Sequence, residues 1–139
     1  MTKNHITQQE VERIRQIYCN DVLRHRSRPV QLPGRKCEPE IQYTFLGIEL
    51  KAGKMRITCP DPTTARYLKV FAEIGLPAVR IPYDPTRTAV LVVGLEHALR
   101  QIKEQCRKER FHQRKLRRVY RQIREACVCK GVPVATGDL

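Results

Sequence analysis

The sequence predicts an α+β fold: a four-stranded antiparallel or mixed sheet with helices on one face and a long basic C-terminal helix. Two observations predict this class. Segments that alternate apolar and polar residues, as half-buried strands do, lie beside segments whose apolar residues recur every three or four positions, as in helices. In chain order these segments are α-β-β-α-β-β-α, and 139 residues are the usual length of one compact domain.

The first helix is predicted to begin at Thr7, whose hydroxyl can cap it while Glu10 completes a capping box. It should end near Arg26, because Pro29 follows and disfavours continuation of a helix. We expect the connector over 24–39 to be a mobile basic loop.

A β-hairpin is predicted over 41–59, since β-forming residues alternate there on both sides of a turn at Gly53. Asp61 then caps a second helix, with Pro62 at its first position. Gly75 is predicted to end this helix.

Two further strands are predicted, over 79–83 and 89–93. The second is a continuous apolar run, typical of a strand in the middle of a sheet, and Gly94 should release the chain into the last helix. The stretches 56–65 and 80–89 resemble each other around an Asp-Pro pair. Because one is predicted to lead into a helix and the other into a strand, shared turn chemistry explains the likeness better than duplication.

A long helix is predicted over 95–127, where apolar and basic residues each recur at helical spacing on neighbouring faces. Its basic residues form what we call the basic stripe: Arg100, Lys103, Arg107, Arg110, Arg114, Arg117, Arg121 and Arg124. Such a helix would be about 50 Å long, more than a small domain is wide. The apolar repeat breaks at Glu109 and Gln113, so the sequence leaves open whether the helix is continuous or bent there.

Charge is distributed unevenly along the chain. The formal net charge is +13, yet residues 61–99 carry four basic and four acidic groups, whereas 100–124 carry eleven basic groups and two acidic ones. We divide the chain into an N-terminal helix and basic connector over 1–40, an α+β core over 41–108, and a basic helical extension with a flexible tail over 109–139.

This charge predicts a non-catalytic protein that binds nucleic acid, either structured RNA or duplex DNA, with RNA weakly favoured. Guanidinium groups match phosphate oxygens, and each neutralised phosphate releases counterions. The predicted site is the basic stripe with four connector residues: Arg26, Arg28, Arg35 and Lys36. The aromatic residues are expected in the core rather than as platforms for bases: Tyr43, Tyr67, Tyr83, Phe111 and Tyr120.

An interaction or assembly module is the main alternative. It would bind an acidic protein, or form a homodimer through Leu116, Tyr120 and Ile123 with basic side chains beside the seam. A membrane partner is not expected, because the longest apolar run, 89–93, is too short to span a bilayer. The N-terminus has no apolar signal region, so we expect a cytoplasmic location and free thiols.

Enzymatic activity is not predicted, and a metal-dependent nuclease is the weaker alternative. Glu49, Lys51 and Asp61 are of the types used in such nucleases, but Asp61 already has a sufficient task as a helix cap. Cys127 and Cys129 lack the second half of a structural zinc site. We therefore predict neither a metal nor a cofactor.

Overall fold

The computed structural model describes residues 3–128, with side chains from Ile6 onward. In chain order the elements are helix α1 (Lys3–Gln16) with a π-helical continuation (Ile17–Val22), strands β1 (Ser27–Gln31), β2 (Glu40–Thr44), β3 (Gly47–Ala52) and β4 (Met55–Cys59), helix α2 (Pro62–Ile74), strand β5 (Ala78–Pro82), and helices α3 (Pro85–Arg107) and α4 (His112–Ala126). The α+β class is confirmed. The single four-stranded sheet is wrong, because the strands form two antiparallel sheets, β1-β5 and β2-β3-β4. The predicted flexible tail and Cys129 lie outside the described residues.

The three-stranded sheet packs one face against α2. Its β3–β4 hairpin is confirmed, with Gly53 in the turn at a φ of 60°. The arm before it, predicted as one strand, folds into two strands around a second turn. Thr44 closes this turn: its Oγ1 donates to the Gly47 carbonyl at 3.0 Å and accepts from the Leu46 N–H at 3.2 Å. The side chains of Phe45 and Leu46 are fully exposed at the tip.

The predicted mobile connector contains a strand. β1 pairs antiparallel with β5, which places Val30 opposite Val79. Arg80 links the two strands, because its Nε donates to Ser27 Oγ at 2.9 Å and its Nη2 to the Ser27 carbonyl at 2.6 Å. Pro29 has no N–H to donate, and a two-stranded sheet tolerates it because β1 is an edge strand.

The strand predicted over 89–93 is wrong, since these residues belong to α3. This helix is capped by Asp84, whose Oδ1 accepts from the Thr86 N–H at 2.9 Å. Its buried residues recur at helical spacing and include Thr88, Val92, Leu95, Leu99 and Ile102. Gly94 lies inside the helix, where an added Cβ would be 3.3 Å from Ile17 Cδ1, so its small size permits close packing with the π-helical segment. Tertiary packing therefore overrides the strand preference of the β-branched run.

Helix α1 begins before the predicted cap. Because the helix already includes Lys3, Thr7 lies within it and only 2% of its surface is exposed. The apolar residues Val11, Ile14 and Tyr18 of this helical segment are buried in the hydrophobic core cluster. That cluster also contains residues of α2, α3 and α4.

Helix α2 follows the prediction at both ends. Asp61 Oδ1 accepts from the Thr64 N–H at 2.7 Å, and Gly75 ends the helix with a φ of 101°. A Cβ on Gly75 would lie 2.9 Å from the Lys36 nitrogen and 3.0 Å from the Arg35 carbonyl carbon. The absence of a side chain therefore lets the connector approach the end of α2.

The predicted long helix is interrupted. α3 ends at Arg107 and α4 begins at His112, after Phe111 with a φ of 60°. α4 folds back and contacts α1, α2 and α3. The predicted helix over 95–127 is therefore not continuous, and it is interrupted in the region where the apolar repeat breaks.

Replacing Gly75 with alanine should lower the free energy of unfolding by about 3 kcal/mol, because left-handed strain adds to contact with the connector backbone. Gly53→Ala is the matched control: its φ is also positive, but its added Cβ would meet only Pro33 at 3.8 Å. We expect Gly53→Ala to lower the free energy of unfolding by about 1 kcal/mol. Urea unfolding measures both, and equal losses would contradict the role given to the close approach.

Candidate nucleic-acid interface

Glu73, a partly buried residue of α2, holds α4 against the body of the protein. Tyr120 Oη donates to Glu73 Oε2 at 2.8 Å, and Lys103 Nζ lies 2.8 Å from the same oxygen. Burial raises the pKa of the Tyr120 phenol, and the negative charge of Glu73 raises it further. The phenol therefore stays protonated and keeps donating. One carboxylate joins α2, α3 and α4.

Arg124, predicted to bind phosphate, has a structural contact. Its Nη1 donates to the Ile74 carbonyl at 2.8 Å and so satisfies a carbonyl at the end of α2. Lys103 has a structural contact too, through Glu73. Two members of the basic stripe thus help to hold α4 in place.

The α3 part of the basic stripe lies among carboxylates. The groove between α2 and α3 is lined by basic residues and by glutamates: Arg66, Lys69, Arg100, Lys103, Arg107, Glu73, Glu96 and Glu104. Arg66 binds Glu96 through two guanidinium nitrogens. Arg107 Nη1 lies 3.4 Å from Glu104 Oε2. These glutamates reduce the positive potential along the groove.

The α4 part is different. A concavity of about 380 Å³ is lined by five arginines, which we call the α4 arginine surface: Arg114, Arg117, Arg118, Arg121 and Arg124. No acidic residue lines it. Among the described residues, Arg117, Arg118 and Arg121 make no ion pair. Arg118 lies one step off the basic stripe, so helical spacing did not predict it as a site residue; its signal in the sequence is the adjacent Arg117-Arg118 pair.

Two connector residues extend this surface. Arg35 and Lys36 line a second concavity together with Arg117 and Arg124. Lys36 Nζ also lies 5.9 Å from the ring centroid of Tyr120. The structure therefore brings Arg35 and Lys36 to the α4 part of the basic stripe.

The other two connector residues lie with the β1–β5 sheet. The guanidinium of Arg26 is 5.3 Å from the ring centroid of Tyr83. Arg28 is half-buried on β1, opposite Ile81. The contacts of the structure thus associate them with β5 and its end rather than with the α4 arginine surface.

Phe111 is exposed at the interruption between α3 and α4. The expectation that aromatic residues lie in the core holds for Tyr67 and Tyr120, but 62% of the Phe111 surface is exposed. The guanidinium carbons of Arg110 and Arg114 lie 5.2 and 5.3 Å from its ring centroid. Tyr43 and Tyr83 are also exposed.

The seam predicted for a homodimer is occupied within one chain. Tyr120 and Ile123 are 1% and 0% exposed, and Leu116 packs against the same core. Because α4 folds back, these side chains meet α1, α2 and α3 instead of a second copy. Tyr120 and Ile123 are therefore not exposed to form the predicted seam, whereas Leu116 is only partly buried.

The residues considered for a nuclease have other contacts. Glu49 Oε1 lies 3.3 Å from Arg56 Nη1, and Asp61 caps α2. Lys51 shares the outer face of β3 with Glu49 and is exposed. Across residues 3–128, no group of three or more His, Cys, Asp or Glu side chains could hold a metal ion.

The cysteines are mostly buried thiols. Cys37, Cys59, Cys106 and Cys127 are free, whereas Cys19 is disulfide-bonded, so the expectation of free thiols is wrong for Cys19. Burial raises the pKa of the Cys127 thiol to about 12. Since metals and oxidants react with the thiolate, Cys127 is poorly suited to either chemistry.

No family model matches the chain, and no match was found among curated proteins or solved structures. None of the helices in the described part of the chain is long and apolar enough to cross a membrane.

Tyr120→Phe should lower the free energy of unfolding by about 2 kcal/mol, because it removes a hydrogen bond to a carboxylate and keeps the ring. Amide hydrogen exchange should accelerate in α4 more than in the rest of the protein. Tyr67→Phe is the matched control, since it removes the bond from Tyr67 Oη to the Arg80 carbonyl at 2.7 Å. If both variants accelerated α4 equally, Glu73 would not be what holds this helix.

Cys127 should react with iodoacetamide at pH 8 about 1,000-fold more slowly in the native protein than in urea, because its raised pKa leaves that much less thiolate. Mass spectrometry of the labelled peptides, with fragmentation to separate Cys127 from Cys129, gives the rates. Equal rates in native and unfolded protein would show that the thiol is accessible and normally acidic.

Proposed function

We propose that this protein binds nucleic acid without catalysis, through the α4 arginine surface together with Arg35, Lys36 and Arg110. One observation carries the proposal: five arginines line a single concavity that has no acidic residue in its lining. Guanidinium groups bind phosphate oxygens through paired hydrogen bonds. A polyanion is the partner that this arrangement fits best.

Repulsion within α4 supports a polyanionic partner. Arg114, Arg117, Arg118 and Arg121 are spaced three or four residues apart, where like charges destabilise a helix. A ligand that supplies several phosphates removes this cost at the moment of binding. The distance from Arg114 to Arg124 along the helix is about 15 Å, over which one strand of a duplex has about four phosphates.

The ligand class follows from how α4 is packed. One side of the helix is buried against three other helices, so only its arginine side can face a ligand. These residues contact phosphates and do not read base sequence. We therefore favour folded RNA or duplex DNA bound by its shape and charge.

The α3 part of the basic stripe is expected to contribute less to nucleic-acid binding than the α4 arginine surface. Arg100, Lys103 and Arg107 continue toward α4, but three glutamates share their groove. Arg26 and Arg28 are not included, because their contacts are with β5 and the residue that follows it.

Replacing Arg117 and Arg121 together with glutamine should weaken binding to a 20-base-pair RNA duplex by 10-fold or more at about 100 mM salt. Losing two phosphate contacts should also reduce the slope of log K against log salt concentration by about 2. Fluorescence anisotropy across a salt series measures both quantities. The double variant Arg56→Gln, Arg87→Gln removes the same charge from β4 and the first turn of α3. This control variant should bind the RNA duplex with an affinity within about twofold of that of the wild type.

Equal losses in the two double variants would mean that net charge alone governs binding. If the wild-type protein shifted neither an RNA duplex nor tRNA at about 50 mM salt, the proposed function would be wrong. Binding to polyglutamate as tight as to RNA would favour the alternative, an acidic protein partner.

A further inference from the structure

Phe111 occupies a position that packing does not explain. It is the residue before α4, and most of its ring faces solvent. A buried phenylalanine stabilises a fold by removing a large apolar surface from water, and this one forgoes most of that gain. Burial of apolar surface therefore does not explain why a phenylalanine occupies this position.

The backbone at Phe111 strengthens this conclusion. Within residues 3–128, Phe111 is the single non-glycine residue with a positive φ, at 60°. Glycine or asparagine adopts this conformation at lower cost. Its ring contacts the guanidinium groups of Arg110 and Arg114, and the side chain makes no capping hydrogen bond to α4. A strained, exposed aromatic residue is more consistent with a functional role than with a structural one.

The surroundings of the ring are cationic. The guanidinium groups of Arg110 and Arg114 lie within 5.3 Å of the ring centroid. Arg114 also lines the α4 arginine surface, so the ring borders that surface directly. Proteins that hold unpaired nucleotides combine these two elements, an aromatic face for the base and arginines for the adjoining phosphates.

We infer that Phe111 stacks on an unpaired base, while Arg110 and Arg114 bind the phosphates on either side of it. This inference rests on the proposed function and narrows its ligand class. The bases of a fully paired duplex are stacked on one another and offer no face to the ring. The ligand is therefore a folded nucleic acid with a bulged or looped-out base beside its helical part.

The test compares two RNA duplexes that differ only in a three-nucleotide bulge containing 2-aminopurine. Wild-type protein should bind the bulged duplex about tenfold more tightly and quench the 2-aminopurine fluorescence. Phe111→Leu keeps an apolar side chain without the ring, and should lose about tenfold on the bulged duplex while changing less than twofold on the paired one. Phe111→Tyr keeps the ring and should behave as wild type.

The outcomes separate this inference from the proposed function. Suppose that the wild-type protein binds both duplexes and that the double variant Arg117→Gln, Arg121→Gln binds them more weakly. If Phe111→Leu then binds both as tightly as the wild type, only the stacking role is overturned. If Phe111→Leu weakens both duplexes equally, or if Phe111→Tyr fails to preserve the preference, the stacking role is also overturned. If wild-type protein binds neither duplex, the proposed function itself fails.

Discussion

The carboxylate of Glu73 determines where the arginines of α4 lie. It accepts a hydrogen bond from Tyr120 and neutralises Lys103, so that a helix with six basic residues can pack beside another basic segment. The apolar residues of α4 supply the area that is buried, but they do not remove the repulsion between positive charges. With Glu73 in place, the remaining charge of α4 faces solvent on one side.

The same residue type serves two purposes on this helix. All three of Arg117, Arg121 and Arg124 line the concavity, but Arg124 also donates to a carbonyl at the end of α2. Arg117 and Arg121 make no ion pair with a described residue. Sequence periodicity predicted that all of them share a face, which is a property of the helix alone. It could not separate them, because the distinction depends on where the end of α2 lies in space.

Local signals predicted the fold correctly where they were sufficient. Asp61 and Gly75 mark the ends of α2 through caps that involve only neighbouring residues. Asp84 carries the same capping chemistry, but the continuous apolar run after it favours a strand. That run lies in α3, whose buried side packs against α1 and α2, and β1 pairs with β5, where Arg80 reaches Ser27, 53 residues earlier. Neither contact has a local signature.

The interruption at Phe111 changes the kind of surface that the charge can form. A continuous helix over 95–127 would be a rod whose basic stripe could be bound without the rest of the protein. Because α4 folds back, its arginines lie beside Arg35 and Lys36. These two residues belong to the connector, whose backbone approaches the end of α2 at Gly75. The surface is thus assembled from two distant segments and exists only in the folded chain. Its affinity for a polyanion should therefore depend on the fold, unlike that of a disordered basic tail with the same composition.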